Sequence, residues 1–394
     1  MVWRKDTLKL AIVGIEYPDV KHNPSITTKN WQDALFSRNT YKQTATGQVA
    51  YGSEADYYFA DSYGQLKVIG AMLPWVTVSK NRADYSQGTG TGGQDRVLLA
   101  EATDLVLAKD RTALDNYDGI IFIYAGNRMQ TTRGAIYWPH KSQTTIANRR
   151  MPYVIIPEGG TIGRGGGGPG GPGGPGGGRG GPGAATQPDV SQARVMSDIS
   201  VICHESGHIL GLPDLYAMPE NPGSIGLGSW CIMSQEAGGG RPQEMCAWSK
   251  EAMGWLHPVL IDPTVKQKLV LGAVEDSSTE CYKVLLKPDG SEYFLLENRV
   301  KKGWDASLPA EGLLIWRVIG NRPQLMESHG IDGPGSPQVY VAAVPFPSAS
   351  NDSFTPFTTP SSRSPLGGGS QVFITNIRKM ADGRISFWIG YPFE

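Results

Sequence analysis

Two histidines four positions apart, with a glutamate directly after the first, constrain this 394-residue chain more than any other feature: His204-Glu205-Ser206-Gly207-His208. Residues i and i+4 share one face of an α-helix, so two imidazoles leave adjacent turns side by side and can grip a single metal ion. Glu205 then stands beside that ion without binding it. Chance supplies the pattern in roughly one of two hundred chains of this His and Glu content, and the following residues narrow it further. Gly211 and Asp214 extend it to His-Glu-x-x-His-x-x-Gly-x-x-Asp. Glycine there suits a left-handed helix end, which turns the chain back so that Asp214 reaches the same metal. Residue types and spacing together point to a metal-dependent hydrolase.

The flanking sequence reads as an α/β layer structure followed by β structure. Leu8 to Ile15 is a first strand, buried on at least one face. A short helix is expected around Trp31 to Phe36. Ser53 is placed to cap another, running through Tyr57, Tyr58 and Ala60 to a stop at Gly64. Lys67 to Val78 is β-prone and broken at Pro74, and Arg96 to Lys109 carries a helical apolar stripe. Gly119 to Ala125 is unbroken apolar sequence, the mark of a central strand covered on both faces, and Tyr153 to Ile156 is another such run. Strands alternating with helices argue for an α/β arrangement. A helical pattern resumes from about Gln192 to Leu210. A second spans about Pro242 to Met253, with Gly254 past its end. Beyond Leu260 come short β-type runs at Lys268, Cys281, Tyr293, Gly312, Val339, Val372 and Arg384, which suggest an all-β sandwich of roughly seven strands. The expected division falls between residues 1–260 and 261–394.

Composition limits what remains. Glycine makes up 51 residues, but from Gly159 to Gly183 it occupies 17 of 25 positions, with four prolines among the rest. Glycine recurs there at every third position from Gly168 onward, in a run far too short for a triple helix. The window 159–183 reads as a disordered surface insert. Lys+Arg 36 against Asp+Glu 37 leaves a net charge of −1, so no nucleic-acid partner is expected. The stretch from Gly126 to Met196 is locally basic and reads as a solvated flank. No run approaches the roughly 18 apolar residues of a membrane span, and Met1 to Asp6 is not followed by a secretory core. Cys203, Cys231, Cys246 and Cys281 allow three full pairings or free thiols.

Downstream of the histidines, Trp230-Cys231-Ile232-Met233-Ser234 places a methionine in a tight segment, as in the Met-turn beneath a metzincin metal site. With His204-Glu-Ser-Gly-His-Ile-Leu-Gly-Leu-Pro-Asp-Leu-Tyr216, Gly240-Arg-Pro242 and Ala247-Trp-Ser-Lys-Glu-Ala-Met-Gly-Trp255, the chain resembles the immune inhibitor A-like metallopeptidases of the metzincin group. Weaker echoes lie in Tyr57 to Leu66, Tyr293 to Arg299 and Leu308 to Trp316. The resemblance implies a zincin/metzincin-like catalytic domain of α/β (α+β) type, with a twisted sheet and an active-site helix, followed by a β-sandwich domain. It also implies an extracellular or cell-envelope location, although this chain shows no leader and the cytoplasm stays open. Departures are Ala217 where an acid is usual, Cys231 where aspartate is frequent, and Arg317 where histidine often follows Trp316. The acidic loop that resembles a calcium site is shortened to Asp115-Asn-Tyr-Asp-Gly119, which weakens the case for Ca2+.

The expected chemistry is hydrolysis of peptide bonds in protein or peptide substrates. His204, His208 and Asp214 would hold Zn2+ and leave one position for water, whose pKa the metal lowers. Glu205 would take the water's proton as general base and pass it to the leaving amine. Met233 is expected as the floor of the site rather than a ligand. Tyr216 and His257 are candidates for the transition-state partner, and Glu220 or Glu236 are alternative third ligands. His22, His140 and His329 have no partner spacing and read as surface or satisfied core histidines. The competing reading is a catalytically weak, peptidase-like binding or adhesion protein of the cell surface. A monomer is expected.

Overall fold

Leu8 to Ile15 lies at the heart of a six-stranded sheet. In a computed structural model, which describes residues 2–86, 94–128, 137, 139–146, 148–160, 192–215, 227–235, 239–330 and 340–392, this run forms β1 (Thr7–Glu16). Most of the glycine-rich window (161–183), together with Tyr216, Ala217, Glu220 and Glu236, lies outside the described residues. β1 pairs in parallel with β2 (Lys67–Met72), β3 (Val76–Thr77) and β4 (Gly119–Asn127), with Pro74 separating the second from the third. β5 (His140–Ile146) runs antiparallel to β6 (Arg149–Gly159), which pairs in parallel with β4; the order is β2-β1-β4-β6-β5.

Both faces of this sheet are covered. Ile121 and Ile123 of β4, with Leu8, Leu10 and Ile12, pack beneath α1 (Thr28–Phe36) and α2 (Glu54–Asp61). Ile120, Phe122 and Tyr124 point the other way, toward Leu98, Ala102 and Val106 of α3 (Gln94–Lys109). Alternation across a doubly covered strand is why the β4 sequence shows no polar period, and each such side chain contributes about 1.5–3 kcal/mol by leaving water. Thr27 and Ser53 cap the first two helices, each in a reciprocal box with Asn30 or Asp56.

Two helices start later than the local pattern suggests. α4 (Ser200–Ile209) begins at Ser200 rather than near Gln192. Met196 instead bridges Gly159, the Ser197 amide donates to the Glu158 carbonyl at 2.9 Å, and the Asp198 carboxylate then accepts the Ser200 amide at 2.8 Å. α5 (Ala247–Met253) starts at Ala247 rather than Pro242. The amides of Glu244 and Met245 are taken by the buried carboxylates of Asp305 (2.9 Å) and Asp61 (3.1 Å), so they do not enter a helical ladder. Gly254, at φ +77°, ends α5 as read.

The remaining chain forms β7 (Val259–Ile261), β8 (Gln267–Leu271), β9 (Cys281–Leu285), β10 (Glu292–Arg299), β11 (Gly312–Ile319), β12 (Arg322–Met326), β13 (Ile374–Lys379) and β14 (Ile385–Ile389). They build one sheet of order β12-β11-β10-β9-β7 and another of order β13-β14-β8. The short β7 and β12 are additions to the strands expected, whereas the run at Val339 is a correction. Val341–Ala343 is a 3-10 turn, because Ser328 satisfies the carbonyls of Ala343, Val344 and Pro345 in place of a neighbouring strand. Phe294, Leu296, Leu313 and Ile315 face the smaller sheet. Their alternates Leu295, Leu314, Trp316 and Val318 enter the same core as Ile202 of α4 and Trp248 of α5. The five-stranded sheet is therefore a middle layer. All four cysteines are buried, and none forms a disulfide. Among the described residues no helix is long and apolar enough to cross a membrane.

Candidate metal centre

α4 carries the two histidines on buried turns, and its end is shaped to return the chain to them. The Gly211 amide donates to the His208 carbonyl and the Leu212 amide to the Gly207 carbonyl, both at 3.1 Å, with Gly211 at φ +98°. This is a Schellman ending, and a side chain at that φ would be strained. Three residues on, Asp214 Oδ1 stands 3.1 Å from His204 Nε2 and 3.0 Å from His208 Nε2. The three ligand atoms lie within 4.8 Å of one another, and the imidazoles cross at 89°.

The second ring nitrogens are also committed. His204 Nδ1 donates to the Ile232 carbonyl at 2.6 Å and His208 Nδ1 to the Leu212 carbonyl at 2.7 Å. Each bond ties Nδ1 to the backbone and turns Nε2 toward Asp214. Ligands about 2.0–2.1 Å from a tetrahedral ion sit roughly 3.3 Å apart, so the donor set and its spacing fit Zn2+. Among the described residues no second group of three His, Cys, Asp or Glu ligand atoms gathers in this way. In the shortened acidic loop, Asp118 is engaged by Lys5 at 3.3 Å and by the Lys9 amide at 2.9 Å.

Glu205 is buried beside this group. Burial pushes its carboxyl pKa up; His204 and His208 oppose that rise, Asp214 adds to it, and His140 on β5 opposes it. Burial works against charge on His204, but the hydrogen bond to Asp214 and the charge of Glu205 outweigh it and lift its pKa to about 9. His140, read as an uninvolved histidine, therefore acts on the charge of Glu205 and also contacts the Tyr153 hydroxyl at 3.3 Å. The polar strand that carries it gave no apolar period from which to place it.

Met233 lies under the helix. A Cβ at Gly207 would stand 2.4 Å from Met233 Sδ, so the glycine is what allows this approach. The turn holding Met233 is tied to the ligand segment, since the Leu215 amide donates to the Met233 carbonyl at 2.7 Å. It is also tied to the middle sheet. Arg299, at the end of β10, donates from Nη1 to the Trp230 carbonyl at 2.9 Å and binds Asp305 with Nε and Nη2 at 2.6 and 2.7 Å. Lys250, Glu244 and Asp61 continue this buried network. No local pattern signals this network, because its members come from five separate segments.

The other candidates do not join the group. Exposed His257 sits in the link after α5, its amide bonded to the Ser278 carbonyl at 2.7 Å. His22 is hydrogen-bonded to Glu16 and stacked on Trp75 at 4.5 Å, while His329 pairs with Glu327. Tyr216, Glu220 and Glu236 lie outside the described residues.

Residues 9–120 match the family model of the immune inhibitor A peptidase M6 catalytic domain. That stretch holds β1 to β3 and α1 to α3 and ends at the start of β4, before the metal-binding candidates. Pre-pro-metalloprotease PrtV of Vibrio cholerae serotype O1, from strains M66-2 and ATCC 39315 / El Tor Inaba N16961, is 26% identical over 283 residues. The match covers 64% of this chain and 30% of the relative, so the chain corresponds to well under half of that protein. The chain is similar to the immune inhibitor A-like metallopeptidases.

Proposed function

We propose that the protein is a zinc-dependent endopeptidase that cleaves peptide bonds in proteins. One observation carries this reading: the Nε2 atoms of His204 and His208 converge on Asp214 Oδ1 at 3.0–3.1 Å, with the buried Glu205 carboxylate beside them. His204, His208 and Asp214 are the proposed ligands, with Met233 as the floor of the site. A bound zinc ion supplies a Lewis acid for the scissile carbonyl and acidifies water. Glu205 is the general base that would accept the water's proton and return it to the leaving amine. Among the described residues β5 is the last strand of the sheet and lies beside α4, and its outer side offers an extended polypeptide a strand to align with. Tyr216 remains the candidate partner of the developing oxyanion.

In this reading residues 1–260 are the peptidase domain and 261–394 a β-sandwich domain. The protein acts as a monomer outside the cell or in its envelope, in line with the family likeness. The test is cleavage of denatured casein by purified protein, with and without chelator, beside Glu205→Gln. Chelator-sensitive cleavage lost in Glu205→Gln is expected. One zinc per chain without Glu205-dependent cleavage would instead identify a peptidase-like binding protein.

A further inference from the structure

Away from the metal ligands, a cavity of about 380 Å³ opens between the loop joining α1 to α2, α2 itself, the segment following the Met233 turn and the 3-10 turn Gly303–Ser307. Its walls carry three cations, Arg38, Lys42 and Arg241, and three aromatic rings, Tyr51, Phe59 and Trp304. Asp56 is the one carboxylate lining it, and that carboxylate is already engaged. It accepts Arg38 Nε at 3.1 Å, the Asn39 amide at 2.8 Å and the Ser53 amide at 3.1 Å. Among the described residues Lys42 and Arg241 have no acidic partner, which leaves the cavity with two uncompensated positive charges.

Two of the cations are held in place. The Arg241 guanidinium lies 3.6 Å above the Tyr51 ring, and that of Arg38 lies 3.9 Å above Phe59. A guanidinium stacked on a ring keeps its edge free to meet a planar carboxylate and loses little freedom in doing so. Arg241 is half-buried, and its Nε has no hydrogen-bond partner. A charged donor in that condition gains more from an anion than a fully solvated one. The neighbouring Gly240 packs against Asp198, just ahead of α4, so the cavity lies toward the N-terminal end of the helix that bears the histidines.

We propose that this cavity is an anion subsite that receives a carboxylate of a bound polypeptide, from an acidic side chain or a chain terminus. The proposal rests on the reading of the protein as one that acts on polypeptides. A nucleic-acid backbone fits less well, because phosphodiesters call for a track of cations rather than one confined cluster.

The test uses the full chain as the Glu205→Gln variant, so that bound peptide is not consumed, with calorimetry as the readout. The probes are an acetylated, amidated hexapeptide containing two glutamates, its Gln counterpart with a free C-terminus, the fully neutral Gln amide, and inorganic phosphate. At least one of the two charged peptides is expected to bind roughly tenfold more tightly than the neutral one, and which one binds tells side chain from terminus. Lys42→Gln and Arg241→Gln should each remove most of that preference, while zinc content and melting temperature stay unchanged. Equal binding of charged and neutral peptides overturns the proposal, as does a preference untouched by both variants or tight binding of phosphate alone. Casein cleavage without charge-dependent binding defeats the subsite only; charge-dependent binding without cleavage in the unmodified protein defeats the peptidase reading only.

Discussion

Gly207 rests directly on Met233: no β-carbon fits between the helix and the thioether, since one built there would approach Sδ to 2.4 Å. Gly207 lies one residue before His208, so the separation of helix and turn also sets the height of the histidines above their floor.

Gly207→Ala should therefore weaken the fold by about 1–3 kcal/mol, the usual effect of overpacking a full core, and should lower zinc affinity. Urea unfolding and competition with a chromogenic chelator measure the two effects. Met233→Ala in the same chain should recover part of the metal affinity, because it clears the space the new methyl needs. If Gly207→Ala binds zinc as the parent does, the contact does not govern the site.

The network around Arg299 is buried and exacting. Arg299→Met leaves Asp305 without its bidentate partner and frees the Trp230 carbonyl. Removing one member of a buried pair typically costs about 3–5 kcal/mol, a shift visible in the urea midpoint. Arg299→Met combined with Asp305→Leu should be less damaging than Arg299→Met alone, since Asp305 is no longer left as an orphaned charge, while Glu275 and Glu297, 3.7 and 3.6 Å from the guanidinium, still lose their cation.

Glu54, fully buried on α2 beneath Ser206, has a carboxyl pushed up to about 8, first by burial, with Ser206 working against the rise. Its raised folded-state pKa means that the native protein holds a proton the unfolded chain releases. Stability should fall as pH rises from about 4.5 to about 8. The slope from one such group is on the order of 1.4 kcal/mol per pH unit. Glu54→Gln, which cannot ionise, should flatten the pH dependence of the unfolding free energy over this interval. A parallel pair of curves would refute the assignment.

Since all four cysteines are buried and none forms a disulfide, a thiol reagent should react slowly with native protein and label four sites after unfolding without reductant. Two or fewer labelled sites would reveal a disulfide.

Much of this was legible beforehand, and the reasons differ by element. β1, β4 and α3 follow from their own apolar patterns, and the turn at Gly211 follows from what glycine permits. The onset of α4 was not legible, because Met196 and Ser197 answer to Gly159 and Glu158 across the sheet. The onset of α5 was hidden for a related reason: the amides that would start it belong to Asp61 and Asp305. β5 is a polar edge strand with no apolar stripe, so His140 could not be placed near Glu205. The grouping of His204, His208 and Asp214 could be expected from their spacing, whereas its support from Arg299 could not, since no local pattern joins residues 230 and 299.

That last contact also orders events during translation. The Trp230 carbonyl is met by a guanidinium 69 residues further along the chain. When α4 leaves the ribosome, the floor beneath it still lacks this support, and the nascent polypeptide must go on growing past Arg299 before the turn can be locked. Whatever His204, His208 and Asp214 accomplish together, they do so over a floor that a later part of the chain completes.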